Sequence, residues 1–136
     1  MAEKKVLIFL GDEKCGACKI FRPAWEGICN NKNIADNFHI VTFMGNGNVG
    51  KRIPGEKLLI LPGAFSKYDR LPTLLIVSAE EYNKRWDLET GREVDRDLPL
   101  VGKSLADGIV TQQMIDGKMT AVPNTKYIVD WIYRNR

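Results

Sequence analysis

What the chain is short of narrows its chemistry first. Three cysteines in 136 residues are an odd, low count, unlike the disulfide framework of a small secreted domain. Thiols used this sparingly in a reducing compartment are catalytic, metal-binding or simply buried. Long apolar runs are missing too. The first run, residues 6–10, is too short for a signal-peptide core or a membrane span. The mature protein is therefore expected to begin near Met1 and to be cytoplasmic, with no membrane partner. Charge of one sign is scarce as well: 20 basic and 17 acidic side chains leave a net +3. Because they are scattered along the chain, no nucleic-acid partner is expected. There is no internal repeat, low-complexity tract or interdomain linker, and His39 is the only histidine.

What is present is enough for one domain. A chain of this length with 44% hydrophobic residues can bury a core without a metal or disulfide staple, so residues 1–136 are expected to form a single unit. Residues 5–10 are a short, β-favouring apolar run, as expected of a strand covered on both faces. After the turn residues Gly11, Asp12, Glu13 and Lys14 comes Cys15-Gly16-Ala17-Cys18. Ile20, Phe21, Trp25 and Ile28 then recur at helical spacing until Asn30 and Asn31. Residues 38–44 read as a second strand, parallel to the first and joined to it by a right-handed β-α-β crossover.

Beyond it the signals weaken. Residues 45–70 mix Gly, Pro and basic side chains around one apolar patch, residues 58–61, which reads as a short helix or an extra strand. Residues 71–77 form a strand introduced by Pro72, a position where proline is tolerated. Glu89-Thr90-Gly91-Arg92 marks a hairpin tip of uncertain register within 84–94. Residues 95–123 carry no firm signal. A closing amphipathic helix over 125–133 places Ile128, Val129, Trp131 and Ile132 on one side.

Two cysteines two residues apart at the start of a helix are arranged for thiol chemistry. Unpaired N–H groups and the positive end of the helix dipole favour an anion at Cys15, which should form its thiolate more readily than a free cysteine. Cys18 lies one turn further in and reaches back. Cys15 would attack a disulfide to give a mixed disulfide, and Cys18 would displace it. Lys14 and Lys19 favour the thiolate, while Asp12 and Glu13 oppose it.

With these features the chain resembles the thioredoxin superfamily, well over residues 5–77 and loosely in the last helix. The matches are the CxxC motif at a strand-to-helix junction, Pro23 five residues after Cys18 where that family kinks its helix, and Leu71-Pro72-Thr73-Leu74-Leu75, similar to its cis-proline signature. The resemblance implies an α/β thioredoxin fold: a central mixed sheet flanked by helices, with insertions at about 45–70 and 95–123. It also implies a thiol–disulfide oxidoreductase with Cys15 as nucleophile and Cys18 as resolving thiol. Leu71 and Pro72, with Gly16 and Ala17, would bind substrate, the Leu71 backbone pairing with a substrate strand. Partners would be protein disulfides, with a cellular disulfide reductase or glutathione as electron source and no bound cofactor.

The departures are specific. Thioredoxins keep a buried acid six residues before the first cysteine, and Phe9 stands there, leaving no evident base for Cys18. Lys14 replaces an aromatic residue. Ala17 replaces proline, which is expected to make the pair less reducing. The extra strand and helix that precede the motif in thioredoxins are missing, so the plan is closer to glutaredoxin size, although a glutathione site is not recognisable.

Two other readings of the motif stand beside this one. The first is a redox-inactive binding module that presents the Leu71-Pro72 groove and the 45–70 segment. The second is a zinc site drawn from Cys15, Cys18, Cys29 and His39, disfavoured because an apolar helix separates the two halves. Cys29 reads as a buried, inert thiol, His39 as a strand residue without a catalytic role, and Trp25, Trp86 and Trp131 as packing residues. Arg134 and Arg136 read as favouring the carboxyl end of the last helix.

Overall fold

The computed structural model describes residues 4–12, 14–44, 57–60, 71–90, 92–95, 98–100 and 102–136. Its centre is β1 (Lys5–Gly11), in which every residue from Val6 onward is buried. Successive side chains on a strand point to opposite faces, and β1 uses both. Leu7 and Phe9 enter one core cluster; Val6, Ile8 and Leu10 enter the other. Fully burying each such side chain stabilises by roughly 1.5–3 kcal/mol, so this strand is expensive to disturb.

β1 pairs in parallel with β2 (Phe38–Met44), aligning Phe9 with Thr42, and antiparallel with β4 (Thr73–Val77), aligning Phe9 with Leu74. β3 (Lys57–Ile60) extends the sheet in parallel beyond β2, and β5 (Lys103–Leu105) extends it antiparallel beyond β4. The result is a mixed five-stranded sheet in the order β3-β2-β1-β4-β5.

Helices cover both faces. α1 (Gly16–Cys29) and α4 (Thr125–Arg134) supply Phe21, Trp25, Ile28, Ile128, Trp131 and Ile132 to one cluster. Ile34 of the short α2 (Lys32–Asn37) joins them. On the opposite face, α3 (Ala79–Asn83) contributes Ala79 and Tyr82, followed by Trp86, Leu88 and Leu100. Phe9, Phe21 and Trp25 form an aromatic stack, with Phe9 and Phe21 centroids 5.2 Å apart. The Trp25 indole N–H donates to the buried Thr42 hydroxyl at 3.2 Å. That bond meets the polar need of a ring otherwise buried in hydrocarbon. Pro23 lies inside α1 and is exposed.

Three expectations are corrected or narrowed. The 95–123 segment is not simply an insertion: Lys103–Leu105 is an edge strand of the main sheet. Further on, β6 (Val110–Ile115) and β7 (Lys118–Pro123) form a separate hairpin. Its two-residue turn has Asp116 at φ 52° and Gly117 at φ 79°, the positive angles that a tight primed hairpin turn requires. The apolar patch within 45–70 resolves to a strand, β3, and the rest of that segment lies outside the described residues, as do Glu13 and Gly91. Around the expected hairpin tip at 89–92, the pairing among the described residues is an isolated antiparallel bridge between Trp86 and Glu93. Among the described residues, no helix is long and apolar enough to cross a membrane.

Candidate functional site

The site forms where β1 gives way to α1. Asp12 shapes this turn twice: its carboxylate accepts the Lys14 N–H at 2.8 Å, and its carbonyl accepts the Cys15 N–H at 3.0 Å. A short Asp side chain bonding the backbone two residues on is a recurrent turn device. It delivers Cys15 in an extended conformation at the N-cap of α1.

Cys15 then acts as the cap. Its sulfur accepts the Cys18 N–H at 3.2 Å, and its carbonyl accepts the Lys19 N–H at 3.1 Å. An N-cap acceptor satisfies one of the N–H groups that a helix start leaves open. With sulfur in that role, the Cys15 sulfur sits on the positive end of the helix axis, with a donor aimed at it. The Cys15 thiol also faces the Leu71 carbonyl at 3.5 Å, and the Leu71–Pro72 peptide is cis. Residues 56 positions apart in the chain therefore meet at the same sulfur.

The two cysteines approach each other to 2.7 Å, and both are free thiols. Their surroundings differ. Cys15 is half-buried, whereas Cys18 is buried in the cluster with Phe9, Phe21 and Trp25. Burial, reinforced by hydrogen bonding to Cys15, pushes the Cys18 thiol up to about 12, and the negative charge of Asp12 acts in the same direction. The Asp12 backbone beside the sulfur opposes this in part. Cys18 is thus held as a thiol beside an accessible partner.

The remaining expected site residues distribute as follows. Gly16 and Ala17 open α1 between the two cysteines; Gly16 is exposed, with no atom near where a Cβ would stand. Pro72 is buried just before β4, so it precedes that strand instead of being its second residue. Cys29 is buried in the core at the far end of α1. His39 lies in β2 opposite Val6. Among the described residues, no group of three or more His, Cys, Asp or Glu side chains is arranged to hold a metal ion. Trp25, Trp86 and Trp131 are all buried packing residues. Arg134 occupies the last turn of α4, while Arg136 lies beyond it with its guanidinium 5.4 Å from the Tyr133 ring centre.

Sequence reasoning placed Asp12 among the turn residues and counted it as a charge opposing the thiolate, but missed the two hydrogen bonds by which it builds that turn. The signal was there, an Asp two residues before a backbone N–H that needs a partner. No family model, curated protein or solved structure matches the chain.

Proposed function

We propose that the chain is a thioredoxin-fold thiol–disulfide oxidoreductase of the cytoplasm that acts on protein disulfides through Cys15 and Cys18. The observation that carries this reading is the placement of the Cys15 sulfur at the N-cap of α1, bonded to the Cys18 N–H. A structural cysteine has no need of that position, and a nucleophilic one gains from it. The order of elements supports the fold assignment: parallel β1 and β2 around α1, antiparallel β4 and β5 beside them, and a closing helix.

The chemistry runs in two displacements. The Cys15 thiolate attacks one sulfur of a substrate disulfide, that S–S bond breaks, and the other substrate sulfur leaves as a thiol. Cys18, after giving up its proton, attacks the Cys15 sulfur and expels the second substrate thiol. The substrate gains two electrons and the cysteine pair loses two. Two glutathione molecules or a cellular disulfide reductase then restore the dithiol, so no bound cofactor is needed. Leu71 and Pro72 line the approach to Cys15, with Leu71 supplying main-chain groups to an extended substrate segment. The open space at Gly16 leaves room for that segment.

Reduction of insulin disulfides with glutathione as electron donor tests this reading. The wild type turns over and Cys15→Ser does not. Cys18→Ser accumulates a covalent mixed disulfide that mass spectrometry locates on Cys15. A wild type with no turnover, and a Cys18→Ser variant that captures nothing, would replace the enzyme with a binding module.

A further inference from the structure

β6 and β7 pair only with each other among the described residues. A lone two-stranded hairpin is marginal in water. This one packs against α1, and its base is half-buried, with Val110 against the core cluster. Every residue from Gln112 to Thr120 is exposed.

The two-residue turn at Asp116 and Gly117 decides which main-chain groups face outward. It makes Ile115 and Lys118 a hydrogen-bonded pair, and bonded and non-bonded pairs alternate along an antiparallel ladder. Gln113 opposite Thr120 and Thr111 opposite Val122 are therefore bonded, while Gln112 opposite Ala121 and Met114 opposite Met119 are not. The N–H and C=O groups of Gln112 and Met114 point away from β7, and no other bond reaches them among the described residues.

Open strand edges are commonly blunted by lysine or proline. β5 carries Lys103, and β7 carries both Lys118 and Pro123. β6 has neither residue and no charge along its whole length. That neutrality identifies its occupant. A strand that pairs with its own copy across a two-fold axis sets each side chain near its equivalents, so a charge on it would meet the same charge. An edge meant for an acidic or basic segment gains from the opposite sign, which β6 does not offer.

We propose that β6 is the contact surface for a second copy of this chain, the two strands pairing antiparallel about an axis at Gln113. Gln112 of each copy faces Met114 of the other, and each such pair exchanges both outward-facing main-chain bonds. Thr111 meets Ile115, and the two Gln113 side chains lie opposite each other on the axis. The two hairpins become one four-stranded sheet, and the contact closes on itself as a dimer. The pairing uses neither Cys15 nor Cys18.

Sedimentation equilibrium in excess reductant, which removes dimers crosslinked through Cys15, tests the pairing. The wild type is expected to pass from monomer at about 1 μM to dimer at about 1 mM, as suits an edge contact of small area. Gln112→Pro removes an outward N–H that the hairpin itself does not use. Gln113→Lys sets like charges on the axis and keeps the main-chain bonds to Thr120. Each substitution is expected to weaken the dimer at least about tenfold, with the circular dichroism spectrum unchanged. Mixing Gln113→Lys with Gln113→Glu should restore a dimer that neither variant forms alone.

A wild type that stays monomeric throughout, or a dimer indifferent to both substitutions, overturns the proposal. So does growth into larger assemblies, or a charge-swapped mixture that fails to pair. Should Gln112→Pro disturb the hairpin, that mixture still decides.

Discussion

Phe9 and Cys18 show how one side chain sets the terms for another. A carboxylate at position 9 would have shared the cluster with Cys18; the ring there instead stacks on Phe21 and removes water from the thiol. The cost appears at alkaline pH. The folded Cys18 thiol titrates near 12 against an ordinary value of 9.0, so from pH 9 upward the unfolded chain loses a proton that the folded chain keeps. A raised acid favours the fold below its unfolded value, and that contribution is lost as pH rises toward 12. Burial also raises the Tyr82 phenol, which adds to the same trend. Urea midpoints of the reduced protein should therefore fall as pH climbs from about 9, and the slope should be shallower in Cys18→Ala and in Tyr82→Phe. A flat profile would show that neither group is desolvated. The motif made both cysteines legible as candidates. The difference in burial between the two cysteines was not legible, because it is set by residues far along the chain.

Arg85 does for a segment what Asp12 does for a turn. It is buried, and its guanidinium donates to the carbonyls of Glu81 at 2.6 Å, Leu98 at 3.1 Å and Pro99. It also meets the Glu81 carboxylate at 3.1 Å. The Arg85 carbonyl accepts the N–H groups of Val94 and Asp95. One side chain thus ties α3 to the excursion that leads back toward β5. Arg85→Met keeps the bulk and loses the donors, leaving partly buried carbonyls unsatisfied. The expected loss is about 2–3 kcal/mol in urea unfolding, with the rate of Cys15 alkylation unchanged because the segment lies on the other face of the sheet. Elements with a long apolar signature, β1, α1, β2, β4 and α4, were readable from periodicity. α2 and α3, of 6 and 5 residues, are too short to show it and are held by the caps Asn31 and Ser78. The β6–β7 hairpin failed to register for the opposite reason. Met114 and Met119 are 65% and 63% exposed, so its strands never needed to alternate apolar with polar, although Asp116-Gly117 marked the turn.

Taken together, the architecture puts the two cysteines at the rim of the main sheet. β1 is buried on both faces and paired on both edges, and it ends at the turn that places Cys15. β4 begins right after the Leu71 carbonyl that faces the same sulfur. The site is therefore held between two strands buried along almost their whole length, while the hairpin packs against α1 instead of joining the sheet. The α/β class and the strand-to-helix position of the cysteines could be read from sequence because both follow from the order of apolar runs. The edge strand β5 could not, since three residues with one buried side chain carry no pattern. The most direct measurement is the reduction potential of the Cys15–Cys18 pair, obtained by trapping thiols across glutathione buffers. A single two-electron couple between about −270 and −120 mV is expected, the span from thioredoxin-like reductants to strong oxidants. A pair that never closes in any buffer would contradict the oxidoreductase.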